Sequence, residues 1–264
     1  MIRSALMNVM TAAVLKAGRG LKRDLGEIEN LQVSIKGPGD FVTAADRRSE
    51  KTLFEELSKA RPGYGFVMEE GGSVEGSDKS HTWHIDPLDG TTNFLHGLPN
   101  FAISVGLERD GQLVGGVVYN PATDDMYFAE RGQGAYHNNR RLRVAARRDF
   151  AEALVGCGIP ALGRAPLHPR FKLELAEVMA RAGVLRRLGA AALDLAYVAA
   201  GSYDAYWERG VKSWDVAAGA LLVREAGGFV STADGDDDLL GAGSILAGNE
   251  YMHRSLLEVL RKLR

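Results

Sequence analysis

What the 264-residue chain lacks excludes several classes of protein. Its one cysteine, Cys157, allows neither an internal disulfide nor a cysteine-rich zinc motif, a usage typical of the reducing cytoplasm, where we expect the protein. No run of 18 consecutive apolar residues occurs, so no transmembrane helix and no membrane partner are predicted. No P-loop motif is present either, which excludes that form of nucleotide binding.

An excess of positive charge is also missing. Lys and Arg number 32 and Asp and Glu 34, which gives a formal charge of −2 and no general positive field for nucleic acid. The densest basic stretch, residues 140–148, is interpreted as a solvated surface loop. Any binding of nucleic acid would have to be local, and this stretch is the candidate for it.

The remaining composition is that of a globular protein, with 45% hydrophobic and 25% charged residues. We expect a single domain over residues 1–264, with two lobes and a boundary near residue 150. Apolar spacing predicts amphipathic helices over 1–20 and 46–57. Helices are also predicted over 170–181, 190–200 and 250–263. The predicted strands are 65–68, 82–85, 101–108, 113–119, 126–128, 205–207, 229–231 and 244–247. Those up to residue 128 are expected to form an antiparallel meander. This pattern favours an α/β or α+β fold with helices covering mixed sheets.

One segment, residues 86–94, concentrates the chemistry. It reads Asp-Pro-Leu-Asp-Gly-Thr-Thr-Asn-Phe and follows a predicted strand. Pro87 fixes its own φ and Gly90 permits close backbone approach, so Asp86 and Asp89 can converge on one point. Converging carboxylates repel each other, and a cation with all-oxygen ligands, typically Mg²⁺, removes that repulsion.

All nine positions of this segment match the signature of the inositol monophosphatase family, which the sequence therefore resembles. Further blocks resemble the family in the same order along nearly the whole chain, at residues 40–46, 69–70, 189–197, 214–219 and 225–228. The resemblance implies an α/β/α/β/α sandwich, a homodimer, and Mg²⁺-dependent, Li⁺-sensitive hydrolysis of a small phosphate ester, above all myo-inositol 1-phosphate. Relatives in the same superfamily keep fructose-1,6-bisphosphatase, 3′-phosphoadenosine phosphatase and histidinol-phosphate phosphatase as alternatives.

The resemblance also implies roles for individual residues. Two Mg²⁺ ions, with a third bound more weakly, are expected on the side chains of Glu69, Asp86, Asp89 and Asp215 and on the carbonyl of Leu88. Spacing alone does not join Asp215 to the others. Asp46 and Thr91 are expected to form a hydrogen-bonded pair that activates water, with Glu69 as the third catalytic residue. The expected substrate contacts are Glu69, Leu88, Asp89, Gly90, Thr91, Arg186, Gly189, Ala190, Ala191, Glu208 and Asp215.

Several of these residues also have a purely structural interpretation. Thr43 and Asp46 have the spacing of a capping box, and Asp215 suits the first turn of a helix. A helix starting after Gly90 would direct main-chain N–H groups at a phosphate. The chain departs from the family pattern at Met68, Gly71 and Ala190. A second class of function stays open, because some bacterial members of the family act as transcription antitermination or ribosomal RNA synthesis factors that bind RNA polymerase. The basic stretch at residues 140–148 would be the surface for this role.

Overall fold

A computed structural model of the chain describes residues 4–27, 33–37 and 40–263. Its helices are α1 (Ala5–Leu25), α2 (Ala44–Ala60), α3 (Thr91–Leu95), α4 (His168–Met179), α5 (Ala191–Ala199), α6 (Ser213–Glu225) and α7 (Glu250–Arg261). Its strands are β1 (Val33–Gly37), β2 (Asp40–Thr43), β3 (Gly65–Met68), β4 (Gly72–Val74), β5 (His81–Asp89), β6 (Ala102–Arg109), β7 (Gln112–Asn120), β8 (Asp125–Glu130), β9 (Gly134–His137), β10 (Arg140–Arg141), β11 (Leu154–Cys157), β12 (Val184–Arg186), β13 (Ala205–Arg209), β14 (Phe229–Ser231) and β15 (Ser244–Gly248).

Two sheets carry the fold. The larger has eight strands in the order β10-β9-β8-β7-β6-β5-β3-β4, and the smaller has five in the order β12-β11-β13-β15-β14. The antiparallel meander predicted from the sequence is confirmed, since each strand from β5 to β10 pairs antiparallel with the next. β3 departs from this pattern because it pairs parallel with β5.

The fold has five layers, and three apolar clusters hold these layers together. The first joins α1 and α2 to one face of the large sheet, around Trp83 and Ile85. The second encloses α5 and α6 between the two sheets, and the third joins the outer face of the small sheet to α4 and α7, around Trp207 and Leu256. The predicted α/β/α/β/α sandwich is therefore confirmed. The chain passes from the large sheet to the small one between Arg141 and Leu154.

The middle layer is packed unusually closely. A Cβ atom on Gly106 would lie 2.7 Å from the Cβ of Ala217, and one on Gly116 would lie 2.8 Å from the carbonyl oxygen of Ala218. On the other side of α6, a Cβ on Gly219 would lie 2.5 Å from Leu195 of α5. Small residues on both partners therefore let α6 rest directly on the sheet backbone.

The sequence missed several elements for identifiable reasons. For α6 the sequence indicates only a first-turn position for Asp215 and not the extent of the helix, because α6 is buried on nearly all sides between two sheets and its apolar residues show no helical stripe. The strands β1, β2, β4, β9, β10, β11 and β12 are too short for a clear alternation. Helix α1 ends at Leu25 instead of residue 20, and residues 1–3 of the predicted helix lie outside the described residues. No helix in the described ranges is both long and apolar enough to cross a bilayer.

Candidate active site

The parallel pairing of β3 with β5 brings two predicted ligands together. Met68 pairs with Ile85, and the main-chain N–H of Glu69 donates to the carbonyl of Ile85 at 3.3 Å. Because both strands run in the same direction, their carboxyl ends meet at one edge of the sheet. Glu69 and Asp86 follow directly at that edge.

A β-bulge places Asp86 and Asp89 on one side of the strand. Asp86 pairs with Ser104 and Asp89 with Ala102, so β5 contains one more residue than β6 across this interval. In a regular strand, residues three apart face opposite sides, and the extra residue brings them to the same side. Pro87, which lacks an N–H, interrupts the pairing there, and its carbonyl accepts a hydrogen bond from Ser49 of α2 at 2.8 Å.

Two helix N-termini complete the acidic cluster. Asp215, in the first turn of α6, accepts from the N–H of Lys212 at 2.7 Å, and its charge is close enough to Asp86 to raise the pKa of that carboxyl group. Asp89 accepts from the N–H of Ala192, the second residue of α5, at 2.7 Å. The structure thus joins Asp215 to the other acids, which its distance along the chain did not suggest.

The electrostatics of the cluster favour a bound cation. Burial, followed by repulsion from Glu69, Asp89 and Asp215, raises the pKa of Asp86 well above its usual value. The pKa of Asp89 is also raised, mainly by burial and by Asp215, and burial raises that of Asp215 to about 6. A bound divalent cation would offset both the burial of these carboxylates and their mutual repulsion. A donor set made only of oxygen atoms suits Mg²⁺.

The carboxylates are neighbours without yet surrounding a common point. Within the described part of the chain, no group of three or more His, Cys, Asp or Glu side chains has the geometry of a formed metal site.

A hydroxyl–carboxylate pair lies beside the cluster. The Thr91 hydroxyl is 3.2 Å from Asp46 Oδ1 and 3.0 Å from the carbonyl of Leu88, and it can donate to either. Asp46 is fully buried and its other oxygen accepts from both the N–H and the hydroxyl of Thr43, at 2.8 and 2.5 Å. The capping box is therefore confirmed, and it coexists with the contact to Thr91. Burial raises the pKa of Asp46.

Two glycine turns bring the expected substrate contacts side by side. Gly90 and Gly189 have φ values of 87° and 79°, which favour glycine. A Cβ on Gly90 would lie 3.2 Å from the Cβ of Ala190. Ala191 then begins α5. Asn93 holds the two turns together, because its amide donates at 2.7 Å to the carbonyls of both Asn100 and Leu188. The signature contains Asn93, but sequence reasoning assigned it no role.

Glu208 lies near the acids, whereas Arg186 is directed elsewhere. The Tyr206 hydroxyl donates to Glu208, and burial raises the pKa of Glu208 to about 7. The charge of Arg187 acts on Glu208, and its guanidinium adjoins Gly189. Arg186 is exposed and donates to the carbonyl of its neighbour, Leu185. Sequence reasoning missed Arg187, although it adjoins the predicted residue.

A further acid that sequence reasoning gave no role is Asp194 of α5. It is 1% exposed, and burial together with the charge of Glu208 raises its pKa well above the usual value. It also raises the pKa of Asp89. The acidic region therefore extends from the strand ends into the middle helical layer, where the sequence shows only an Asp within an apolar helix.

Known proteins resemble this chain along nearly its whole length. The family model described as "Inositol monophosphatase family" matches residues 3–264. The chain belongs to the inositol monophosphatase family. A protein of Mesorhizobium japonicum named inositol-1-monophosphatase is 61% identical over 99% of this chain and 98% of its own length. The Bartonella henselae extragenic suppressor protein suhB has a crystal structure that matches with a TM-score of 0.95 at 53% identity, covering 98% and 99% of the two chains.

A more distant branch has a different name. A Pseudomonas aeruginosa protein named Nus factor SuhB is 43% identical over 97% of this chain and 96% of its own length. The relatives of this chain therefore include proteins named inositol-1-monophosphatase and proteins named Nus factor.

Two positions at which this chain departs from the pattern of the inositol monophosphatase family, Met68 and Gly71, lie next to each other in the structure. A Cβ on Gly71 would lie 2.9 Å from Glu50 Oε1 and 3.1 Å from the terminal carbon of Met68. Glu50 also accepts from the N–H of Glu70 at 2.8 Å. The ends of the Met68 and Glu50 side chains thus border the space that a side chain at position 71 would enter.

A large cavity lies away from this site. It has a volume of about 700 Å³ and is lined by residues at the C-terminal end of α6, including Leu221 and Arg224, and by Glu108 of β6. Asp215 is at the other end of α6, and none of the expected site residues lines the cavity.

Proposed function

We propose that the protein hydrolyses small phosphate monoesters in a Mg²⁺-dependent reaction, with myo-inositol 1-phosphate as the preferred substrate. The observation that carries this proposal is the meeting of Glu69, Asp86, Asp89 and Asp215 beside the hydrogen-bonded pair of Thr91 and Asp46. The name of the 61% identical relative supports the choice of substrate.

The ligand sets are those that the resemblance to the inositol monophosphatase family implies. Glu69, Asp86 and the carbonyl of Leu88 would hold one Mg²⁺, and Asp86, Asp89 and Asp215 would hold a second, with a third bound more weakly. Bound Mg²⁺ lowers the pKa of water and stabilises negative charge on phosphate-ester oxygens. Asp86 is the acid common to both sets, and its carboxyl group is 2% exposed, which keeps it fixed between the strand and α6.

Thr91 and Asp46 orient the attacking water. When the Thr91 hydroxyl donates to Asp46, its oxygen keeps lone pairs that accept a hydrogen bond from water. The two bonds from Thr43 hold Asp46 in place, and its raised pKa makes it a better proton acceptor than an exposed aspartate. Thr91 therefore orients the attacking water, and Asp46 accepts the proton that is passed on through the Thr91 hydroxyl.

The substrate itself would lie between the two glycine turns. Main-chain N–H groups of Gly90 and Thr91 and of the 189–191 turn would contact the phosphate, while Glu208 would accept hydrogen bonds from substrate hydroxyls. Arg187, whose charge already acts on Glu208, is a better placed cation than Arg186. A homodimer and cytoplasmic location belong to this proposal as well.

Phosphate release separates the candidate substrates. We would assay inositol 1-phosphate, fructose 1,6-bisphosphate, 3′-phosphoadenosine 5′-phosphate and histidinol phosphate with Mg²⁺, with EDTA and with added Li⁺. Mg²⁺-dependent, Li⁺-sensitive release from inositol 1-phosphate is expected. Asp89→Asn should keep the fold and lose at least several hundredfold in turnover, on the scale of about 3–4 kcal/mol for a lost electrostatic stabiliser. Near-wild-type turnover of Asp89→Asn would contradict the metal assignment.

The Nus factor names of the distant relatives support a second candidate, a binding role in transcription. The structure weakens it, because part of the basic stretch is used within the protein. Arg147 pairs with the buried Asp204 at 3.1 Å, and Arg148 lies 4.7 Å from the ring centre of Tyr251. Copurification with RNA polymerase that persists in Asp89→Asn but is lost after changing the exposed Arg143 would establish this role.

A further inference from the structure

A buried histidine connects the large sheet to the helix that carries Asp215. His84 of β5 is 4% exposed. Its Nδ1 atom is 2.9 Å from the hydroxyl of Ser213, and its Nε2 atom is 2.9 Å from a carboxylate oxygen of Glu108. Ser213 is the first residue of α6 and is 129 residues away from His84 in the chain.

The protonation of the ring follows from its partners. The bond to His84 lowers the pKa of Glu108, so this side chain is an acceptor and Nε2–H is the donor. In the neutral ring, Nδ1 then accepts from the Ser213 hydroxyl. The tie between strand and helix is therefore directional, and a side chain of different shape can keep one of its two bonds and lose the other.

The position of the tie matters because of what lies next to each end. His84 precedes Asp86 by two residues on the same face of β5, and Ser213 precedes Asp215 by two residues in the first turn of α6. A second polar contact, from the Ser104 hydroxyl to the carbonyl of Trp214 at 3.1 Å, lies beside it. Elsewhere in this interface, Gly106 and Gly116 of the sheet lie directly against Ala217 and Ala218 of α6.

We propose that His84 is a positioning residue, which fixes the N-terminus of α6 through Ser213 and thereby sets Asp215 against Asp86. The inference rests on the proposed function, since it gives importance to the separation of two expected Mg²⁺ ligands. Residues outside the ligand set that orient the ligands change metal affinity strongly when they are altered.

The same order of groups, hydroxyl, imidazole and carboxylate, occurs in hydrolases that use a serine nucleophile. Here Ser213 is buried at the base of a helix, and its hydroxyl is held against the sheet. The arrangement therefore positions a helix and does not present a nucleophile to a substrate.

Two conservative variants separate the two bonds. The amide of His84→Asn lies where Nδ1 lies and keeps the bond to Ser213, whereas the longer His84→Gln reaches Glu108 and loses Ser213. We expect His84→Gln and Ser213→Ala each to weaken Mg²⁺ binding roughly tenfold by isothermal titration calorimetry, and His84→Asn to stay near the wild type. The double variant His84→Gln/Ser213→Ala should bind Mg²⁺ no more weakly than either single variant, because both changes remove the same hydrogen bond between residues 84 and 213.

A second readout and a control separate positioning from general stability. Hydrogen exchange of the first-turn amides of α6 should accelerate in His84→Gln and Ser213→Ala but not in His84→Asn. His81→Gln is the control, since His81 is on the same strand, lies 2.9 Å from Asp78 and stacks on Tyr64 at 4.1 Å. It should lower the melting temperature without changing Mg²⁺ affinity.

The outcomes distinguish this inference from the function on which it rests. Unchanged Mg²⁺ affinity in Ser213→Ala, alongside lost Mg²⁺ binding in Asp215→Asn, overturns the inference and leaves the proposed function standing. Wild-type Mg²⁺ binding in Asp215→Asn overturns the ligand assignment and the inference with it. If His84→Gln fails to fold, Ser213→Ala decides the question, because it removes a single hydroxyl.

Discussion

The close contact between α6 and the large sheet makes Gly106 a sensitive position. In Gly106→Ala, the new Cβ would lie 2.7 Å from the Cβ of Ala217, whereas apolar carbon atoms are normally about 3.5–4.0 Å apart. The helix must therefore retreat by about 1 Å, or the strand must deform by the same amount. Overpacking of this kind costs about 1–3 kcal/mol of unfolding free energy. The loss of glycine freedom in the unfolded chain returns about 0.4–1 kcal/mol.

The net destabilisation of about 1–2 kcal/mol corresponds to a fall in melting temperature of roughly 2–8 °C for a chain of this size. Differential scanning calorimetry with EDTA present would measure it without any contribution from metal. Gly20→Ala is the matched control, because its Cβ meets nothing within 4 Å and it lies inside α1. Removing a helical glycine there should raise stability by about 0.5–1 kcal/mol.

The displacement of α6 should also weaken Mg²⁺ binding, because Asp215 moves with the helix. Adding Ala217→Gly to Gly106→Ala removes the opposing methyl group, so Mg²⁺ affinity should recover even though a helical glycine itself costs about 1 kcal/mol. A melting temperature of Gly106→Ala at or above that of the wild type would refute this account of the packing. So would a decrease of equal size in Gly20→Ala.

Three further predictions concern other parts of the molecule. Glu174→Ala removes the buried partner of Arg209 and should lower the free energy of unfolding, measured in urea, by about 3–5 kcal/mol. Glu177→Ala, which removes an exposed ion pair on the same helix, should lower it by less than about 1 kcal/mol. Similar losses in the two variants would contradict this interpretation. Burial and the charge of Arg261 lower the pKa of His253 to about 4, below the unfolded value of 6.5, so the contribution of His253 to stability should be constant above pH 6.5 and fall as the pH is lowered from 6.5 to 4. The loss should be about 1–2 kcal/mol, reduced because the side chain is partly exposed, and His253→Gln should abolish it; an unchanged pH profile in that variant would contradict the assignment. Thr91→Ala should lower kcat far more than it raises KM, and a change confined to KM would exclude its action on the nucleophile.

The sequence was sufficient to predict those features that depend only on residues close together in the chain. The Asp86–Phe94 signature, the capping box of Thr43 and Asp46, and the amphipathic helices α1 and α7 all depend on residues close together in the chain. Their spacing determines which side chains share a face or cap a helix, so a pattern in the sequence maps directly onto structure.

Local sequence failed where an element is enclosed on all sides. α6 carries Asp215 and is the centre of the middle layer, yet its surroundings are two sheets and another helix, and no polar face marks its period. The same enclosure makes small residues necessary at Gly106, Gly116 and Gly219. Gly106 and Gly116 lie inside strands that the sequence predicts, yet nothing in the local pattern shows that their role is to allow close contact.

The sequence by itself determined which chemistry is available, because the acids, the hydroxyl and the glycine turns of the signature are present whatever the chain does elsewhere. Only the tertiary structure decided which of them meet. A parallel strand pair brings Glu69 to Asp86, a one-residue bulge turns Asp89 to the same side, and α6 brings Asp215 from another part of the chain. Such meetings depend on how whole layers pack, and packing is a property of surfaces formed by residues far apart in sequence.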